Sequence, residues 1–301
     1  MDMYEIRTDL ALESGEKFKK NHVEIHGVAI RESCNEENNI KTTVVKIETE
    51  NGAAAMGKPQ GNYITIEAPD LSEPDEDYHE QVAEEIAKHL RGLHSFQKNQ
   101  TVLVVGLGNP KATPDALGPW AIENIHVTRH IMMDFGANLP EDEYYCKVSA
   151  LIPGVMANTG METFEIVKGV VEEVKPDAVI AIDALAARSI RRLGRTIQMT
   201  DAGVHPGSGV GNHRQGLNKK TLGVPVLGIG VPTVVDAATI VYDATEHMLG
   251  VLEDYERQEF LEEMITPNLR SMFVTPKDVD EAVEVLSKTV ALGINLALER
   301  V

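Results

Sequence analysis

Several features that assign a chain to a class are scarce in this sequence of 301 residues. Aromatic residues make up 5%, and cysteine occurs only at Cys34 and Cys146. Two thiols without metal-ligand spacing form no disulfide framework, and they point to a reducing compartment. No apolar run approaches the ~20 residues of a membrane-spanning helix. The start, MDMYEIRTDLALESGEKF, holds no apolar core of signal-peptide length. Basic residues are also short: 28 Lys plus Arg stand against 47 Asp plus Glu, a formal net charge of −19. A field of that sign repels a phosphate backbone and argues against nucleic acid as a partner. Arg188, Arg191, Arg192 and Arg195 form the one visible basic cluster that can override it locally. The expectation is a soluble cytoplasmic α/β protein with no membrane partner, long enough to bury a full core.

Familiar catalytic signatures are missing too. Gly106-Leu107-Gly108-Asn109-Pro110-Lys111 sets Lys111 where a dinucleotide loop carries its third glycine. Pro110 and Pro114 further obstruct a helix starting there. The glycine-rich stretch Gly203 to Gly216 can cradle an anion but lacks the Lys and Ser/Thr placement of a P-loop. No G-x-S-x-G elbow occurs, and neither cysteine has a nucleophile's context. No H-E-x-x-H or His/Cys cluster marks a metal. A hydrolase built on carboxylates is what these exclusions leave.

What is present is alternation. Met1 to Lys20 reads as a polar surface segment. Val23 to Arg31, Ile40 to Thr49 and Asn62 to Ala68 read as strands, with a turn signal at Asn51-Gly52. Tyr78 to Leu93 carries a helical stripe of Val82, Ile86, His89 and Leu90. From Thr101 the chain becomes regular. Thr101 to Val105 is a buried strand, followed by a glycine turn, a loop with Thr113, Pro114 and Asp115, and a helix from Pro119 to near Met133. Val148 to Ile152 and Ile197 to Met199 read as short strands, and Glu162 to Val174 as a helix. AVIAIDAL, ending beyond Asp183, and Pro225 to Gly230 read as core strands. The region from Glu253 to Val301 reads as helical, with Thr275 as N-cap and Pro276 as first helical residue.

Three core strands thus deliver polar groups to their carboxyl ends, where ligands gather in open α/β sheets. The first carries Asn109 and Asp115, the second Asp183, the third Thr233 and Asp236. If the strands are parallel neighbours, Asp115 and Asp183 can approach each other. Two carboxylates in one partly dry cleft separate their pKa values, so one activates water while the other donates a proton. Spacing alone leaves the plainer readings open. Asp183 can be a helix N-cap with Ala184 onward as the first turn, and Asp115 a turn residue after Thr113-Pro114. His205 is a candidate third partner, while a packing role is its ordinary one. Asp236 reads as a cap or helix-surface acid.

At these residues the sequence resembles the germination protease family of spore-forming bacteria. The resemblance takes in IRTDLA (Ile6 to Ala11), VGLGN (Val105 to Asn109), TPDALGP (Thr113 to Pro119), PGVM (Pro153 to Met156) and TG-x-E-T (Thr159 to Thr163). It continues through KPD-x-VIAIDALAARSI-x-R (Lys175 to Arg192), HPGSGVGN (His205 to Asn212) and GVP-x-LGIGVPTVVDA (Gly223 to Ala237). It implies an endopeptidase that begins the degradation of small acid-soluble spore proteins during germination, working in the forespore and spore core as a homotetramer without a cofactor. It also implies a fold related to hydrogenase-maturation endopeptidases: an α/β, mostly parallel central sheet flanked by helices, here with a β-rich N-terminal extension. The family's two essential aspartates fall on Asp115 and Asp183, with His205 and Asn109 as supporting candidates. In the related maturation enzymes equivalent acids help bind nickel; no residue of this sequence signals a metal. The family is made as a zymogen, and the matching cleavage bond is Glu5-Ile6. Residues 1–5 are then a short pro-segment ahead of a single domain, 6–301, divided into a β-rich part (6–98), a catalytic core (99–250) and C-terminal helices (251–301). VGLGNP with Thr128-Arg129-His130 is also similar to peptidyl-tRNA hydrolase over one short stretch. A non-catalytic peptide-binding protein is the third class the sequence leaves open.

Overall fold

The first third of the chain forms β1 (Val28–Asn35), β2 (Ile40–Ile47) and β3 (Gly61–Glu67); the second and third match the strands expected, while the first lies later than Val23 to Arg31. The computed structural model describes residues 8–20, 25–36, 38–135, 146–206, 215–249 and 272–299, together with 266, 268 and 269. The opening segment is a helix, α1 (Ala11–Lys20), not a featureless surface stretch, and its first turn is buried. Asn51-Gly52 does not make the expected turn. Thr49 caps a helix there, α2 (Glu50–Met56), its hydroxyl accepting the Gly52 N–H at 3.1 Å. The alanines that follow favour the helix. Gly57, at φ 63°, ends it in the left-handed conformation. α3 (Glu76–Leu93) starts at Asp75, whose carboxylate accepts the Tyr78 N–H.

The α/β part follows as β4 (Thr101–Gly106), α4 (Leu117–Ile122), α5 (Arg129–Phe135), β5 (Lys147–Leu151), α6 (Met156–Thr159) and α7 (Thr163–Val174). Next come β6 (Ala178–Ala187), β7 (Thr196–Thr200), α8 (Lys219–Leu222), β8 (Val226–Asp236), α9 (Ala237–Leu249), β9 (Phe273–Val274) and α10 (Val279–Glu299). The single helix expected from Pro119 to Met133 is two helices because Thr128 is recruited by β5. Its N–H donates to Val148 O at 3.1 Å, and its hydroxyl donates to Cys146 O and accepts from Val148 N–H. Thr275 is not the cap of the last helix. Its hydroxyl donates to Thr233 O at 3.0 Å, and the helix begins at Val279.

Among the described residues the strands form one nine-stranded sheet in the order β1-β2-β3-β7-β8-β6-β4-β5, with β9 paired to β8. The sheet is mixed, which corrects the expectation of a mostly parallel one. β8, β6, β4 and β5 are parallel neighbours, whereas β1, β2, β3, β7 and β8 pair antiparallel in succession. The reason is local. β1 and β2 are joined by a short connection that makes an antiparallel pair, β3 returns antiparallel to β2 after α2, and it docks on β7 to continue the same sheet. Helices cover both faces of the parallel half. Ile180, Ile182, Leu227 and Ile229 pack with Ile86, Leu90, Val290 and Ile294 of α3 and α10 on one face. Leu103, Val105, Val179 and Ala181 pack with Val167 and Val171 of α7 on the other. No helix among the described residues is long and apolar enough to cross a membrane.

The helix pair α3 and α10 packs closely at Gly293, where an added Cβ would stand 2.6 Å from the Ile86 side chain and 3.1 Å from Ala83 O. Gly169 on α7 faces open space. Gly293→Ala is therefore expected to destabilise the protein by about 1–3 kcal/mol. Gly169→Ala should stabilise it by about 0.5–1 kcal/mol. Urea midpoints of the two variants check the opposite signs.

Candidate active site

The loop after β4 is tied down along its whole length. Leu107 N–H donates to Ile182 O of β6 at 2.8 Å. Asn109 N–H donates to Asp115 O at 3.0 Å, and Asp115 N–H to Ala112 O at 2.7 Å. The Asn109 side chain accepts Lys111 N–H at 3.1 Å, so its amide shapes the turn. Gly108, at φ 113°, lets Asp115 O come so close that a Cβ would lie 2.0 Å from it. Asp115 itself ends one turn of 3₁₀ helix, Thr113–Asp115, and is half-buried. The third core strand completes the anchorage, because the buried Thr233 hydroxyl donates to Pro114 O at 2.5 Å.

Asp183 is not a helix cap. β6 runs on through it to Ala187, with Ile182 in register with Gly106 of β4 and Asp183 in register with Gly230 of β8. Its neighbour Ile182 supplies the carbonyl that receives Leu107 N–H, so Asp183 and the Asp115 loop belong to adjacent parallel strand ends. Gly118, at the start of α4, sits where a Cβ would meet Leu107 O at 2.3 Å and Ile182 O at 2.6 Å. A side chain there would push the Asp115 loop away from the strand of Asp183. By strand alternation Asp183 continues the series Val179 and Ala181, on the side of the sheet opposite Ile180 and Ile182. Asp183 is half-buried, as Asp115 is. Two half-buried acids on neighbouring strand ends are the raw material of an acid/base pair.

The remaining candidates fall in different places. Asp236 is a cap, as expected, with Oδ1 accepting Ala238 N–H at 2.8 Å and Thr239 N–H at 3.2 Å. His205 lies on the connection between β7 and α8, beyond β8 from Asp183, with its ring against Gly216. Desolvation, and then the charge of Lys58, hold its pKa below the ordinary histidine value, so the ring is neutral at pH 7. Most of the glycine-rich stretch after it lies outside the described residues, as do Glu5 and Ile6. The buried Cys146 is poorly placed to act as a nucleophile. Burial pushes the Cys146 thiol up to about 11, and Cys34 is exposed on the edge strand β1. Among the described residues no three His, Cys, Asp or Glu side chains group as metal ligands.

Two arginines of the basic cluster, Arg188 and Arg192, are paired with acids of the chain, whereas Arg191 and Arg195 are exposed. Arg188 pairs with Asp243 at 2.8 Å, and Arg192 reaches Glu13 at 3.3 Å and Glu67 at 3.7 Å. Glu13, with Asp9 and Gln198, belongs to a set of polar residues beside β6 that the sequence pattern did not single out. The signal was there in the arginines themselves: four close together in so acidic a chain call for acidic partners.

Known proteins similar to this chain are consistent in kind. A family model described as germination protease matches residues 5–252 and 247–301. The germination protease of Caldanaerobacter subterraneus subsp. tengcongensis is 48% identical over 98% of this chain and 94% of its own length. That of Clostridium tetani is 44% identical over 98% of this chain and 95% of its own. That of Bacillus subtilis is 40% identical over 99% of this chain and 94% of its own.

The Thr233 anchor is open to direct test. Thr233→Val keeps the shape and removes the donor, leaving the Pro114 carbonyl without it. A loss of about 1–3 kcal/mol is expected from the urea midpoint. An unchanged midpoint would mean the loop is held by its own turns alone.

Proposed function

The chain belongs to the germination protease family, and on that premise we propose that Asp115 and Asp183 form an aspartate dyad that hydrolyses peptide bonds in small acid-soluble spore proteins. A protease function in spore germination, with a protein as substrate, follows from the family itself. The observation that supports the finer reading is that the loop carrying half-buried Asp115 packs closely against the strand carrying half-buried Asp183, with no room between them for a side chain at Gly118.

In this mechanism one carboxylate takes a proton from a water held between the pair. The water oxygen attacks the scissile carbonyl carbon, and the other carboxyl group donates its proton to the carbonyl oxygen. As the tetrahedral diol collapses, the acid that gave its proton takes one back from a diol hydroxyl, the C–N bond breaks, and the other acid passes its proton to the leaving amine. Both acids return to their starting states once the products leave. The two groups titrate as a unit with coupled apparent pKa values. Asn109 contributes by shaping the Asp115 turn, and His205 is a further supporting candidate. The same reading takes residues 6–301 as one protease domain, related in fold to hydrogenase-maturation endopeptidases, with a zymogen segment cut at Glu5-Ile6. It takes the working assembly as a homotetramer in the forespore and spore core.

Incubation with a purified small acid-soluble spore protein, followed by mass spectrometry, tests the core of this. Asp115→Asn and Asp183→Asn each keep the shape but remove proton transfer, so cleavage should fall about 100-fold or more. Full cleavage by both variants would end the dyad reading. Loss of wild-type cleavage on adding a chelator would replace a metal-free mechanism with a metal-assisted one.

Assembly is a separate question. A net charge of −19 repels like subunits, so a tetramer needs buried apolar contacts. Sedimentation at micromolar concentration should give four times the chain mass, and a monomer would contradict the tetramer.

A further inference from the structure

The chain from Thr8 to Glu13 is bonded to the strand of Asp183 more closely than a helix lead-in requires. Asp9 N–H donates to Ala186 O at 2.9 Å, and Asp9 Oδ2 accepts Ala186 N–H at 2.9 Å. Ala186 lies just beyond Asp183 on β6, at the point where the register with β8 shifts. A strand at such an irregularity has lost part of its ladder, and here the carboxylate of Asp9 takes over an amide. On its other side Asp9 O accepts Gln198 Nε2 at 2.9 Å, and Ala11 N–H donates to Gln198 Oε1 at 2.6 Å. Gln198 pairs with Gly230, and Gly230 pairs with Asp183. The segment therefore bridges β7 and β6 across β8, whose residue in that row is a glycine.

Glu13 extends the same clamp. Its carboxylate is 2% exposed, yet it is well supplied with donors. Oε2 accepts Arg188 N–H at 2.7 Å and the Thr8 hydroxyl, and Oε1 accepts Ser189 N–H at 3.0 Å. Arg192 balances the charge at 3.3 Å. Lys58 lies near both acids. Desolvation pulls its pKa down while the charges of Asp9 and Glu13 oppose the drop. Packing of this segment is already provided by Leu10, fully buried with Ala187, Leu193 and Val235. The two acids act instead on main-chain amides at the end of β6.

We propose that Asp9 and Glu13 are positioning residues for the aspartate pair, fixing the carboxyl-terminal end of β6 and so the placement of Asp183. The inference rests on the dyad reading of the preceding section. A clamp that sets geometry affects the chemical step more than substrate binding, since misplacement by about 1 Å can cost about 100-fold in rate.

The test uses the full chain and a purified small acid-soluble spore protein as substrate. In Glu13→Gln, amide exchange at Arg188 and Ser189 should quicken. Its kcat should fall about 10- to 100-fold while KM stays within about twofold. Asp9→Ala should behave in the same way, with faster exchange at Ala186, and Asp9→Asn should recover most of kcat because its amide oxygen can still accept that N–H. Should Glu13→Gln fail to fold, the Asp9 pair decides alone. Wild-type kcat in a folded variant whose amides exchange faster would overturn the proposal, as would equal kcat in Asp9→Ala and Asp9→Asn. Asp183→Asn measured in parallel separates the two claims. If that variant keeps full activity, the dyad reading fails; if it is inactive while the clamp variants are normal, only the clamp fails.

Discussion

The structure around the candidate site depends on one close approach. Leu107 N–H bonds Ile182 O where β4 meets β6, and Gly118 presses against both residues with no room for a Cβ. Chain order explains why the contact matters. β4 and β6 are parallel neighbours joined by a long crossover through β5 and α7, so nothing local holds their carboxyl ends together. The glycine lets the first turn of α4 drop onto the strand ends, and the Asp115 loop comes with it. Thr233 then fastens the loop from the third strand. The loop of Asp115 and the strand of Asp183, far apart in sequence, are brought together through backbone geometry.

The electrostatics follow from the same arrangement. Carboxylates at half-buried strand ends are costly unless paired or hydrogen-bonded. The molecule answers that cost beside β6 with arginines turned inward and with main-chain amides offered to Asp9 and Glu13. Arg188 and Arg192 of the basic cluster are engaged with acids of the chain itself. A short polar segment at the start of the chain is thereby built into the sheet that carries the site.

Much of this was legible in the residues. The β-branched run Thr101 to Val105 and the apolar run around Ile180 could only be buried strands, and the glycines and prolines between Gly106 and Pro119 excluded a phosphate loop. The capping role of Asp236 was legible as well. Local rules failed where tertiary contacts outbid them. Spacing left a cap open for Asp183, but β8 pairs with β6 beyond it and keeps the strand going. Asn51-Gly52 looked like a turn, but Thr49 was better placed to start a helix. The mixed sheet was hidden because pairing of β3 with β7 joins segments distant in sequence, and no local pattern records it. Asp9 and Glu13 were hidden for the same reason, their partners lying on β6 and its following turn.

The central claim is that Asp115 and Asp183 act as one unit, and a double-mutant comparison tests that most directly. Residues that share a single proton-transfer apparatus lose nearly everything when either is removed, so their effects do not multiply. The account predicts that Asp115→Asn/Asp183→Asn cleaves a spore protein no more slowly than the worse single variant, within about threefold. Losses that multiply across the two positions would show two independent contributions and contradict it.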